Sequence, residues 1–291
     1  TQWTTFPIEF RGGLISNLSP LQHGTNAVGS ATILQNFEAN KEGGYSKIKG
    51  FQKFSTTTVP GTGPVLAVKV ISSGRVVAAR KNGSNLTQYY YSTGNSWNSM
   101  ATSASTNGGK ARHVLYNLDG DDKVLFVDGT NYPAIYNTNG NTMSFMTASD
   151  STDVSGAEQV AIFKNTAFYS KGSNLFFTAP FSVDDFSVAN GAGSFNVAND
   201  ITGLAVFREQ LIIFTQDSIK RLTGSSAADF AVSPITDRIG CINGDTIQEI
   251  GGDVIYLAPD GIRLLSATDR IGDFALDIAS DQIYKDANTF L

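Results

Sequence analysis

Residues 203–224 read GLAVFREQLIIFTQDSIKRLTG and divide into three short strand candidates: GLAVFRE (203–209), QLIIFTQ (210–216) and SIKRLTG (218–224). The middle one is apolar at four consecutive positions, Leu211 to Phe214. A strand with one wet face alternates apolar and polar residues, whereas an unbroken run belongs to a strand covered on both faces. A single small sheet cannot cover both of its own faces. The run therefore implies a neighbouring sheet on either side.

Similar units recur along the chain. VLAVKVI (65–71), RVVAAR (75–80) and TQYYYS (87–92) form a first, and ARHVLYN (111–117), KVLFVDG (123–129), PAIYNT (133–138) and TMSFM (142–146) a second. QVAIFKN (159–165), TAFYSK (166–171) and NLFFTA (174–179) form a third, residues 203–224 the fourth, and TIQEIG (246–251), DVIYLAP (253–259) and GIRLLSA (261–267) a fifth. Comparable starts at Val65, Arg112, Ala157, Ile201 and Asn243 are spaced 47, 45, 44 and 42 residues apart. A period of about 40–50 residues holding three or four short strands is the pattern of propeller blades, which bury both faces by stacking radially. Asn82-Gly83, Asp119-Gly120, Asp128-Gly129, Asn139-Gly140, Asn243-Gly244 and Pro259-Asp260-Gly261 lie between or beside the strands, as left-handed turns require.

The expected fold is all-β: a β-propeller of about five to six blades over 63–291, preceded by an extended, mostly irregular N-terminal segment, 1–62. A sixth blade would combine a strand at 45–54 with the C-terminal segment. A β-sandwich with long loops is the structural alternative.

Composition narrows the function. The 291 residues carry a net charge of -5 and are only 16% charged, against roughly a quarter in a typical domain. A hydrophobic content of 41% argues against wholesale disorder. The single cysteine, Cys241, excludes an internal disulfide, and with two histidines, His23 and His113, a thiolate- or histidine-rich zinc site is excluded too. No apolar run approaches the roughly 18 residues of a membrane span, and no signal peptide is expected at Thr1 to Phe10. The pI near 5.0 and the lack of basic runs argue against tight binding to nucleic-acid phosphates.

Candidate chemistry is sparse. Asp119-Gly120-Asp121-Asp122 reads as a hairpin turn rather than a calcium loop, because Thr130 stands where an EF-hand needs Glu. Asp184 and Asp185 are adjacent on one loop, while glycosidase carboxylates come from separate elements, so they read as a polar loop. His23 and His113 are possible general bases, with His113 read as a half-buried strand residue. Cys241 reads as a small buried residue. G-x-S-x-G, Walker A and G-x-G-x-x-G motifs are missing. No catalytic, cofactor-binding or metal-binding residue is expected.

Residues 1–62 are too apolar for a solvated linker. Phe6, Ile8, Arg11, Leu14, Leu18, Leu21 and Phe37 are the expected subunit-contact residues. Lys41, Lys47, Lys49 and Lys53 add basic character, diluted by Glu9, Glu38 and Glu42.

Two stretches carry a family resemblance. The first contains GGL (12–14), Asn36-Phe37, EGGY (42–45) and IKGF (48–51). The second runs AVFREQLIIFTQDSIKRLTG (205–224), RIGCIN (238–243) and VIYLAPDGIRLL (254–265). Together they cover about half the chain and resemble the β-propeller tail proteins of tailed bacteriophages, the tail-nozzle proteins and the related packaged-DNA stabilisation (head-closure) proteins. There a strand pair ends in an F…SI pattern, an IGC turn follows, and the next hairpin carries DG. Nozzle proteins are often much longer than this chain. The resemblance implies a non-enzymatic virion protein forming an oligomeric ring around the DNA exit channel. Its partners would be portal, adaptor or tail subunits and fibres. Double-stranded DNA would pass through the lumen without specific binding, and a net negative chain suits a lumen that repels phosphate. Two alternatives stand beside it: a capsid decoration or fibre-adaptor protein, and a carbohydrate-binding or glycan-cleaving propeller using Tyr89, Tyr90, Tyr91, Trp97 and Tyr132.

Overall fold

A computed structural model describes residues 10, 12–19, 21–22, 29–40, 43–71, 74–118, 121–147 and 154–266. Strands β1 (Phe37–Ala39) and β2 (Tyr45–Lys47) pair into a two-stranded ribbon within the N-terminal segment. Five antiparallel sheets follow, each a meander of consecutive strands. The first holds β3 (Val65–Val70), β4 (Val76–Lys81), β5 (Thr87–Ser92) and β6 (Trp97–Thr102), and the second β7 (Arg112–Leu118), β8 (Asp121–Val127), β9 (Ala134–Asn137) and β10 (Thr142–Phe145). The third holds β11 (Gln159–Phe163), β12 (Thr166–Lys171), β13 (Asn174–Phe177) and β14 (Gly193–Asn196). The fourth holds β15 (Ile201–Phe207), β16 (Gln210–Thr215), β17 (Ile219–Thr223) and β18 (Ala231–Thr236), and the fifth β19 (Gln248–Ile250), β20 (Asp253–Ala258) and β21 (Gly261–Leu264). The first strands of the first four sheets are innermost: β3 packs beside β7, β7 beside β11, and β11 beside β15. The fold is an all-β propeller. Among the described residues no helix is long and apolar enough to cross a membrane.

The core lies between the sheets. On β16, Leu211 and Ile213 pack with Phe163, Phe168 and Phe177 of the third sheet, while Ile212 and Phe214 pack with Val254 and Tyr256 of the fifth. On β8, Val124 and Phe126 join Val77 and Tyr89 of the first sheet, while Leu125 and Val127 join Ala167 and Tyr169 of the third. Successive strand residues point to opposite faces, so a strand covered twice must be apolar throughout. Burying one such side chain is worth about 1.5–3 kcal/mol.

The structure corrects two expectations. Strands β6, β14 and β18 were not visible as apolar runs in WNSMAT, GSFN and AVSPIT. They are outer edges, largely half-buried or exposed, and Pro234 sits in β18 where an edge strand tolerates a missing N–H. The strand expected over 45–54 is only Tyr45–Lys47, paired with Phe37–Ala39. Beyond it Phe51 is 97% exposed, and among the described residues 48–54 joins no sheet. The C-terminal segment proposed as its partner lies outside the described residues from 267 onward.

The N-terminal segment closes on itself. Leu14 bridges Ala31, Gly44 N–H donates to Phe10 O at 2.8 Å, Ile48 N–H to Asn36 O at 3.0 Å, and Tyr45 OH to Gly13 O at 3.2 Å. Residues 55–63 lie on the first sheet, where Trp97 Nε1 donates to Thr57 O at 3.1 Å and Arg80 Nε to Gly63 O at 2.8 Å. Gly61 has φ +129°, and a Cβ there would lie 2.3 Å from Lys81 O.

Candidate functional site

The inner strands converge on a cavity of about 280 Å³ at the propeller axis, lined by residues of four sheets including Lys110, Arg112, His113, Gln159 and Asp245. Asp245 is aimed there by a 3-10 turn, Gly244–Thr246, whose entry residue Asn243 accepts the Asp245 N–H at 3.0 Å. Gly244 lets this turn rest directly on β15: a Cβ would lie 2.0 Å from Thr202 O. Arg112, at the start of β7, reaches Asp245 with two bonds, Nε to Oδ1 at 2.9 Å and Nη2 to Oδ2 at 3.2 Å, and its Nη1 donates to Glu158 O at 3.2 Å. Lys110 Nζ lies 3.0 Å from the same carboxylate. The cluster thus joins the second sheet to the entrance of the fifth. Nearby, Gln159 Nε2 donates to Thr202 O at 2.8 Å, and Thr202 Oγ1 to Cys241 O at 2.7 Å.

The electrostatics agree with a structural clasp. Burial raises the Asp245 pKa, but hydrogen bonds and charge from Arg112 and Lys110 outweigh it and hold the carboxyl below its usual range. Burial, with the charge of Lys69, lowers His113 to about 4, so its imidazole is neutral at pH 7 against the Phe126 ring. Asp245 already holds two cations, and Arg112 is bonded on both sides. The chemistry on offer is bridging: the cluster fixes the inner strands to one another.

The residues that carry the family resemblance have a physical reason. Cys241 N–H donates to Thr215 O at 2.8 Å, laying the RIGC turn on the β16–β17 hairpin. Gly240 has no room for a side chain, since a Cβ would lie 2.1 Å from Thr215 O. Cys241 is fully buried in the cluster between the fourth and fifth sheets, and burial pushes its thiol pKa up.

Phe6, Ile8 and Arg11 lie outside the described residues, as does His23. Leu14 and Leu18 are half-buried, whereas Leu21 is 90% and Phe37 50% exposed. Ile33 and Phe51 stand out from the same segment. Asp119 and Gly120 are outside the described residues; Asp121 and Asp122 begin β8, where Asp122 accepts from Asn117 Nδ2 at 2.7 Å. Among the described residues, no group of three or more His, Cys, Asp or Glu side chains could hold a metal ion. Asp185 is a loop cap, accepting Ser187 N–H at 2.9 Å and Asn190 Nδ2 at 2.8 Å, bonds that lower its pKa.

The aromatic residues suggested as a sugar platform are differently placed. Tyr89 and Tyr90 are buried, Tyr91 and Tyr132 pack against the clusters between sheets, and Trp97 bonds Thr57. Sequence reasoning missed the Arg112–Asp245 pair. Its partners are 133 residues apart, and the only local signal is the Asn243-Gly244 turn pair before Asp245.

No family model matches the chain. No curated protein matches it. Similar solved structures include the extracellular domain of a protein described as a one-component system from B. thetaiotaomicron, at 12% identity and TM-score 0.45 over 74% of this chain and 33% of that one. The chain spans about a third of that protein's length. A protein described as a gluconolactonase is similar at 11% identity and TM-score 0.45, over 72% of this chain and 77% of the other. A glucose dehydrogenase is similar at 12% identity and TM-score 0.42, over 76% and 86%.

Proposed function

We propose that this chain is a structural protein of a tailed-phage virion, a nozzle or neck subunit that assembles into a ring around the DNA exit path. The observation that carries the structural role is the division of labour in the molecule. Charged groups at the axis hold sheets together, while large apolar side chains stand in solvent on the N-terminal segment: Leu21, Ile33 and Phe51 are each more than 80% exposed. These exposed apolar side chains are the surface that a subunit contact would cover. The phage assignment rests on the resemblance of residues 205–224, 238–243 and 254–265, whose glycine and cysteine pack as described above. The ring would form by the N-terminal segment of one subunit docking on the next.

The test is Ile33→Glu with Phe51→Glu in the full chain. Both positions are exposed, so the melting temperature stays within about 2 °C of the parent. Sedimentation velocity should show the parent as an oligomer and the double variant as a monomer. A parent that is monomeric at all concentrations, or a variant that assembles unchanged, overturns the assembly role. An electron-microscopy map of the particle then separates a ring at the portal axis from copies spread over the capsid, which would mean decoration.

A further inference from the structure

A second cavity, of about 260 Å³, lies on the outer side of the propeller. Lys123, Asn137, Thr142 and Ser144 line it from β8, β9 and β10, and Phe181 and Asp184 from the loop after β13. Phe181 is the unusual member. Its backbone is left-handed, φ +61°, yet its ring is 61% exposed. A bulky residue in this region is strained, and burial of the ring does not offset the strain.

The surrounding loop enforces the conformation. Phe181 N–H donates to Asn165 O at 2.7 Å, Thr178 Oγ1 to Ser182 O at 2.8 Å, Tyr169 OH to Val183 O at 2.9 Å, and Ala179 N–H to Asp185 O at 2.8 Å. Asp185, capping the next turn, completes the lock. A strained residue held this firmly, with its apolar face presented over a cavity, is the arrangement of a pre-organised ligand clamp.

We infer that this groove binds one neutral hexopyranose ring, stacked on Phe181. The exposed ring offers a flat apolar surface to the C–H face of a sugar. Around it stand the Asn137 amide, the hydroxyls of Thr142, Ser144 and Ser182, one ammonium and one carboxylate, donors and acceptors suited to sugar hydroxyls. Lys123 and Asp184 cancel in charge, so the site favours a neutral ligand over a phosphate or an acidic sugar. The cavity is at the small end of ligand sites, which fits one ring rather than a long oligosaccharide.

The experiment is saturation-transfer NMR on the full chain with methyl glycosides of glucose, mannose and galactose. Transfer from at least one of them is expected. Phe181→Gly should weaken that binding about tenfold or more, which is 1.4 kcal/mol, while relief of the backbone raises the melting temperature by about 2–4 °C. Phe181→Tyr should keep binding, and Asp184→Asn should reduce it. Three outcomes overturn the site: no transfer to the parent from any glycoside, unchanged binding by Phe181→Gly, or a lower melting temperature in that variant, which would make the ring a packing element. Loss of self-association in Phe181→Gly without sugar binding by the parent would identify the ring as a protein contact instead.

Discussion

His113 lies on β7 with its ring 5.6 Å from that of Phe126, and burial, helped by Lys69, holds its pKa near 4 rather than 6.5. The unfolded chain therefore binds a proton first as pH falls. Between pH 6.5 and about 4 the unfolded state carries more protons, so stability drops with falling pH across that window. Solvent at the exposed edge of the ring trims the linkage to about 1–2 kcal/mol between pH 7 and pH 5. His113→Leu keeps an apolar contact with Phe126 and removes the titration. Urea unfolding at pH 7 and pH 5 should show that difference in the parent and little of it in the variant. An equal pH dependence in both would mean that the fold leaves the His113 pKa unshifted. Asp245 acts lower on the scale: its pKa is depressed, so its contribution is present above the ordinary carboxylate range and is lost as pH falls through its folded value.

At the scale of strands and turns, the same hairpin recurs between the first two strands of consecutive sheets. Phe163 pairs with Thr166, Phe207 with Gln210 and Ile250 with Asp253, each pair closing a two-residue turn. Both central residues are left-handed in each: Lys164 and Asn165 at φ +49° and +57°, Arg208 and Glu209 at +46° and +62°, Gly251 and Gly252 at +61° and +83°. Such turns match the twist of paired strands but favour Asn-Gly. The two turns without glycine are laced together instead, Lys164 to Glu209 and Arg208 Nη2 to Gly252 O at 2.9 Å. Exposed pairs of this kind contribute little. Replacing Arg208-Glu209 by Asn-Gly should therefore raise the melting temperature by about 2–4 °C. A lower value in calorimetry would show that the lacing outweighs the strain.

These turns also show which elements the chain makes legible. Runs such as Leu211 to Phe214 announce their double burial, so the inner three strands of every sheet were found. Lys164-Asn165 and Arg208-Glu209 lack a turn signature and read as the ends of the strand candidates 159–165 and 203–209, whereas the strands stop at Phe163 and Phe207. Of the outer strands, β10 is legible as TMSFM, whereas β6, β14 and β18 carry few core residues, so neither period nor run marks them. Nothing local marks Arg112 as the partner of Asp245, and a left-handed Phe181 runs against the preference of its own residue type. Both are consequences of tertiary packing.

For the whole molecule, four apolar clusters join the first sheet to the second, the second to the third, the third to the fourth and the fourth to the fifth. Among the described residues no such cluster joins the fifth to the first. Among the described residues the fifth sheet has three strands against four in the others, and β19 is exposed along its length. The Arg112–Asp245 bridge is thus a second attachment of that sheet, made across the axis to the second sheet rather than through its neighbour. The sheets should accordingly open with unequal free energies. The amides of β12 and β16, which flank the largest cluster, should exchange slowest, and those of β20 and β21 faster. Asp245→Asn removes the bridge's charge while keeping its size. Hydrogen exchange should then quicken about tenfold in β20 and β21, the loss of about 1.4 kcal/mol expected for charged hydrogen bonds, and stay unchanged in β4 and β5. If β4 and β5 quicken equally, the sheets open as one cooperative unit. The bridge would then stabilise all five sheets rather than pin the fifth.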